Sequence, residues 1–212
     1  MANRNSHPAT ATSILQLIGG ADRRPYSARQ EQILDCLEEV LMTDGFRGLT
    51  LGALASRAQC STRTLYEIAS TREDLLIVVL ERIWLRVAEQ SQVALQEAVD
   101  PAAKLAAFLR TALLVIWPSW ATLVQDITAY GPASRRFQEH VDESIRLMAD
   151  LIEQGIEQGQ FRRKDPHLLA EFLAAGLIRA TSQDVLKRLQ IDPLIALEEL
   201  VSCLLDGLIS DE

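Results

Sequence analysis

A chain of 212 residues with 48% apolar and 24% charged residues, and only 7 prolines and 10 glycines, has the composition of a folded globular protein and excludes a disordered or fibrous one. No apolar run reaches the roughly 18 residues of a membrane span, and the start MANRNSHPATATSILQLIGG lacks the basic and apolar blocks of a secretion signal, so the expectation is a cytoplasmic protein with no membrane partner. The formal net charge of −8 argues against a nucleic-acid ligand until its distribution is seen: residues 1–82 carry −1, with every lysine-or-arginine position an arginine, and residues 83–212 carry −7.

Residues 1–26 lack a sustained period and contain Pro8, Gly19, Gly20 and Pro25, which reads as a flexible arm ending in Arg23 and Arg24. From Ser27, an expected N-cap, apolar residues recur at Ile33, Leu34, Leu37, Val40 and Leu41 and stop at Asp44-Gly45, one helix. Thr50 then opens LGALASRA, QCS interrupts, and TRTLYEIA follows. Each piece is about two turns, below the roughly 12 residues at which an isolated helix becomes marginal in water, so packing must hold them. Leu54, Ala55, Leu65 and Ile68 are the expected core positions.

Thr71 with Asp74 three residues on resembles a capping box and starts a helix to about Gln92. Pro101 opens another, broken at Pro118, and a shorter one covers Ser119 to Tyr130. ASRRFQEHVDESIRLMADLIEQGIEQGQF has helical spacing with Gly155 and Gly159 at its fraying end, and two further helices open with Asp-Pro at 165 and 192. With no alternating pattern and no Asn-Gly hairpin, the chain reads as all-α with about nine helices.

Cys36, Cys60 and Cys203 have no paired spacing and read as buried thiols, and His7, His140 and His167 are scattered, so neither a metal nor another cofactor is expected. No nucleophile motif or phosphate-cradling glycine loop points to an enzyme. Glu38-Glu39 and Glu198-Glu199 are adjacent on helices and read as surface pairs.

Helix, polar turn and second short helix at 50–69 is the plan of a helix-turn-helix, in which the first helix braces the second against a DNA major groove; two core helices of an ordinary bundle fit the same pattern. Arg29, Ile33-Leu34, Gly45-Phe46, Thr50, Leu54-Ala55, the turn AQCS at 58–61, Leu65-Tyr66 and STREDLL at 70–76 resemble, in order and near spacing, the TetR family of transcriptional regulators. Three positions depart from it: Gln59 for a turn glycine, Ala69 for Phe, and Arg72 for Lys. A residue held at positive φ in place of glycine costs of order 1 kcal/mol.

The resemblance implies a three-helix DNA-binding domain at 27–76 and a ligand-binding and dimerisation domain at 77–212. Thr50, Tyr66 and Arg72 would contact phosphates of double-stranded DNA, and Ser61, Thr62, Arg63 and Thr64 would begin the recognition helix, with Arg63 and Thr62 reaching base edges. Arg23 and Arg24 read as a solvated basic tail or a minor-groove arm. Cys60 stands at a valine position of the family, a small apolar role rather than a redox switch.

A small, largely apolar effector of unknown identity would meet aromatic and soft side chains of the middle region, Trp84, Phe108, Trp117, Trp120, Tyr130, Phe137 and Met148, with Gln125 and His140 as polar groups. A homodimer would form through Leu169, Phe172, Leu173, Gly176, Leu177 and Ala180, and through Leu197, Leu200, Val201, Leu204, Leu205 and Leu208. Taken together the expectation is a homodimeric, effector-released repressor of a palindromic operator. The alternative is an all-helical small-molecule-binding or protein-interaction module that does not bind DNA.

Overall fold

A computed structural model of the chain describes residues 26–116, 120–180 and 182–209. Among them are ten helices: α1 (Ala28–Thr43), α2 (Leu51–Arg57), α3 (Thr62–Ile68), α4 (Arg72–Glu97), α5 (Pro101–Ile116), α6 (Trp120–Ala129), α7 (Gly131–Glu157), α8 (Pro166–Ala180), α9 (Gln183–Leu189) and α10 (Pro193–Leu208). The only pairing of β type recorded among the described residues is an isolated bridge between Phe161 and Ile209, so the all-α expectation holds.

Local chemistry sets most helix starts. Ser27 caps α1 in a reciprocal box with Gln30, Thr50 caps α2 by accepting from the Ala53 amide, and Ser61 caps α3 by accepting from the Thr64 amide. Thr71 accepts from the Asp74 amide at 3.0 Å, and Asp192 accepts from the Leu194 amide at 2.8 Å ahead of Pro193. The count exceeds nine because the stretch after Asp165 is two helices: Ser182 is extended (φ −68°, ψ 143°) and α9 starts anew behind it. Helix α4 runs five residues past Gln92, and Gly131-Pro132 begins α7 instead of ending its predecessor, since proline suits a first helical turn.

The chain divides into two compact units. Among the described residues, one holds the segment from Tyr26 through Val87 together with Leu114–His140; the other holds Ala88–Leu113 and the segment from Val141 on. In the first, α2 packs on α3, α1 on α2, and α1 on α6. Ile33, Leu34, Leu37, Leu41, Phe46, Leu54 and Leu65 are all 1% exposed or less.

Polar bonds tie this unit as firmly as the apolar ones. Glu38, 3% exposed, accepts from Arg82 Nε at 2.7 Å and also pairs with Arg86, while Arg82 reaches Asp35 at 2.6 Å and Glu31 as well. Burial pushes the Glu38 carboxyl above the usual carboxylate range, against the pull of both arginines.

The second unit is built around an apolar cluster that includes Leu105, Phe108, Met148, Ile152, Leu173 and Val201. Gly155 lies in the last turn of α7, and it is where the Phe161 ring packs: a Cβ there would stand 2.1 Å from the ring's Cδ2. Arg110 forks onto Glu198 with bonds of 2.7 to 3.0 Å, joining α5 to α10.

Candidate nucleic-acid interface

The two short helices meet through a tight backbone turn. The Cys60 amide donates to the Ala55 carbonyl at 2.9 Å and the Gln59 amide to the Ser56 carbonyl at 3.2 Å, the paired bonds of a Schellman motif closing α2. Its left-handed position is Gln59 (φ 49°), the residue that departs from the family glycine. A guanidinium compensates: Arg29 on α1 donates to the Gln59 carbonyl at 2.7 Å.

This turn presents α3 with one face in and the rest out. Leu65 is fully buried, whereas Ser61, Thr62, Arg63 and Tyr66 are exposed, Arg63 with 91% of its side chain and Tyr66 at 59%. Arg63 lies 3.8 Å from Glu67 one turn on, a loose contact at an exposed site. Thr64 is half-buried, its hydroxyl 2.9 Å from that of Ser61. Thr50 is exposed with its oxygen turned to the Ala53 amide. Ile68, expected in the core, is only half-buried, and Ala69 is buried beneath it in sequence.

Arg72 has a second occupation. Its guanidinium donates to the carbonyls of Phe46 and Leu49, at 3.1 and 3.3 Å, and pairs with Glu73 at 2.8 Å. It therefore buttresses the loop between α1 and α2. Arg47, which the sequence pattern did not single out, is exposed in that same loop three residues before Thr50. The signal for it was simple: a cation beside the threonine expected to contact phosphate.

Of the residues expected to meet an effector, Trp84, Phe137 and His140 come together. The Trp84 and His140 rings stack with centroids 5.0 Å apart at 10°, and Phe137 lies 6.5 Å from Trp84. Desolvation lowers the His140 imidazole to about 4, so it is neutral at pH 7. Arg136 pairs with Glu139 three residues on and with Glu81, 55 residues earlier. Tyr130 is half-buried in this unit, while Phe108 and Met148 belong to the core of the other.

Trp117, Arg23 and Arg24 fall outside the described residues, as do the side chains of Trp120 and Gln125. Ser91 on α4 was also missed: it is 1% exposed and its hydroxyl has no hydrogen-bond partner among the described residues.

On α8 and α10, Leu173, Leu197, Val201 and Leu208 are buried in their own unit, with Leu169, Leu177, Leu204 and Leu205 packed against that cluster and Leu200 and Ala180 half-buried. Phe172 and Gly176 are exposed, and Leu168, Ile178, Leu194 and Ile195 add exposed apolar surface that the sequence reading left out. Cys203, expected to be buried, is exposed on α10, because that helix carries a wider stripe of apolar and small residues than its own unit covers. Cys36 and Cys60 are half-buried, and burial raises the Cys60 thiol, which leaves it little thiolate.

Among the described residues no cluster of three or more His, Cys, Asp or Glu side chains could hold a metal ion, and no helix is long and apolar enough to cross a membrane.

No family model and no curated protein matches the sequence. Solved structures do. A TetR transcription regulator from Haloarcula marismortui aligns at TM-score 0.73 and 22% identity over 87% of this chain and all of that one. The fatty acid degradation regulator FadR from Bacillus halodurans aligns at 0.70 and 21%, covering 86% of this chain and 97% of that one. A transcriptional regulator from Saccharomonospora viridis, solved with choline, aligns at 0.69 and 20%, covering 87% and 98%. The chain thus has the fold of the TetR-type regulators, along nearly its whole described length.

Proposed function

We propose that the protein is a member of the TetR family, a ligand-responsive DNA-binding transcriptional regulator that acts as a homodimeric repressor. The observation that carries this reading is the polar, outward face of α3, with Arg63 almost wholly exposed, set on a braced turn in a chain that has this family's fold. Helix α3 enters the major groove, Arg63 and Thr62 meet base edges, and Thr50, Ser61, Thr64 and Tyr66 fix its register on phosphates. Arg47 supplies the phosphate charge first expected of Arg72, whose guanidinium is engaged with carbonyls.

The exposed apolar residues of α8 and α10, Phe172 and Leu168 foremost, form the two-fold interface, because such surface is costly to leave in water. Two recognition helices then stand about 34 Å apart, one DNA turn, and the operator is palindromic. The effector is a small, largely apolar molecule read by Trp84, Phe137 and His140, and it favours a spacing of the heads that no longer fits successive grooves.

Selection from randomised double-stranded DNA tests the reading. A palindrome should be enriched; Arg63→Ala should relax one position per half-site by about 1–3 kcal/mol, while Tyr66→Ala and Arg47→Ala weaken every sequence alike. Absence of any enriched sequence at low salt, where phosphate contacts are strongest, would replace this reading by an effector-binding or interaction module.

A further inference from the structure

The loop from Asp44 to Leu49 joins α1 to α2 and ends at Thr50, the α2 cap, so its conformation fixes where the helix-turn-helix begins. It makes two left-handed turns, at Gly45 (φ 74°) and Gly48 (φ 83°), that leave Phe46 buried between them at 1% exposure. Backbone so folded needs partners from elsewhere for its polar groups. Arg72 takes the Phe46 and Leu49 carbonyls. The Phe46 amide donates to the Oδ2 of Asp126 on α6, at 2.7 Å across 80 residues of sequence.

Asp126 is 4% exposed, one of three polar or charged residues recorded as buried among the described residues. Beside it lies a cleft of about 120 Å³ with Phe46, Arg47, Arg72, Leu76, Ala129 and Tyr130 in its lining. Everything in this arrangement belongs to a single compact unit, which joins the helix-turn-helix to Leu114–His140. A buried carboxylate is retained at an energetic cost, since desolvation disfavours its charge even with arginines near. An apolar residue would fill the same space without that cost, so the carboxylate is kept for the bond it makes.

We infer that Asp126 is a positioning residue for DNA reading: its bond to the Phe46 amide latches α6 to the loop that sets Thr50, and so holds α2 and α3 at the angle that reading requires. The inference rests on the DNA-binding reading above, and it extends the operator-reading machinery to a helix far from it in sequence.

The test compares the full-length wild type with Asp126→Leu, which has no acceptor, and Asp126→Asn, which retains a carbonyl for the Phe46 amide. Each is measured for affinity to the selected operator and to a scrambled duplex, for thermal stability, and for amide hydrogen exchange. With the buried amide left unpaired, Asp126→Leu should lower the thermal midpoint by a few degrees while remaining folded at the assay temperature, lose about tenfold in operator affinity with scrambled-duplex binding nearly unchanged, and show faster exchange confined to 44–50. Asp126→Asn should recover most of the operator affinity.

Equal operator binding and equal exchange in Asp126→Leu would overturn the latch while leaving the regulator reading intact; a wild type that selects no duplex would overturn both. Equal loss on both duplexes, or no recovery by Asn, would reduce Asp126 to a structural residue and also overturn it. Should Asp126→Leu not fold, wild-type exchange decides: operator binding slows 44–50 and 123–129 together if the latch holds, and only one of them if it does not.

Discussion

The two compact units are held by different physics. In the head unit, long-range directional bonds recur: Arg29 on the turn carbonyl, Arg72 on the loop carbonyls, Asp126 on the loop amide, and Arg82 with Arg86 around buried Glu38. The other unit is dominated by an apolar cluster that draws on α5, α7, α8 and α10, with the Arg110–Glu198 fork on an exposed edge. Burial of area is non-directional and tolerates sliding, whereas a hydrogen bond holds a donor and an acceptor at one distance and angle. On the function proposed above, a unit that presents α3 at a defined angle gains from the second kind of constraint, and one that buries a large surface and admits a partner gains from the first.

The sharpest way to break that contrast is at Arg82. Removing it by Arg82→Met leaves Glu38 buried with one partner instead of two, and we expect a loss of about 3 kcal/mol in denaturant unfolding. The double substitution Glu38→Leu with Arg82→Met should recover most of that loss, because an apolar pair removes the buried charge as well as its partner. Failure of the double variant to recover would mean that the head unit depends on packing around Arg82 rather than on the ion pairs.

Next in size is a pH effect from His140. Its folded value of about 4 lies below the ordinary 6.5, so between these values the unfolded chain binds more protons and stability rises with pH. That contribution is full above pH 6.5 and is lost as pH falls toward 4, by about 2–3 kcal/mol. His140→Gln should flatten this part of the stability profile when thermal midpoints are followed from pH 7.5 to 4.5; an unchanged slope would assign it to other groups.

The smallest expected effect sharpens the comparison from the other side. Ser91 lies in the second unit with a buried hydroxyl that has no hydrogen-bond partner among the described residues. Ser91→Ala should stabilise the protein by about 1 kcal/mol, seen as a rise in thermal midpoint. A fall instead would indicate that an unseen water or ligand uses that hydroxyl.

Much of this was legible in the sequence, and the legible part is local. Ser27, Thr50, Thr71 and Asp192 cap the helices they were expected to open, because a cap is satisfied within three residues of itself. The expected strain at Gln59 appears as a positive φ for the same reason. Periodicity located Leu54, Ala55 and Leu65 in the core, and spacing carried the helix-turn-helix. It was less informative on α10, where a wide stripe could not reveal which leucines face inward: Leu197, Val201 and Leu208 do, and Cys203 does not.

Tertiary structure alone decided the partners of long side chains. Arg72, expected to face outward, is drawn to the Phe46 and Leu49 carbonyls, because two left-handed glycines turn those groups toward it. Asp126, which nothing in the sequence singled out, finds its partner only because α6 rests beside a loop 80 residues earlier. A sequence prescribes helices, caps and turns through neighbours a few residues apart; which distant amide, carbonyl or charge each polar side chain meets depends on the packing of whole helices, and those meetings aim the reading head.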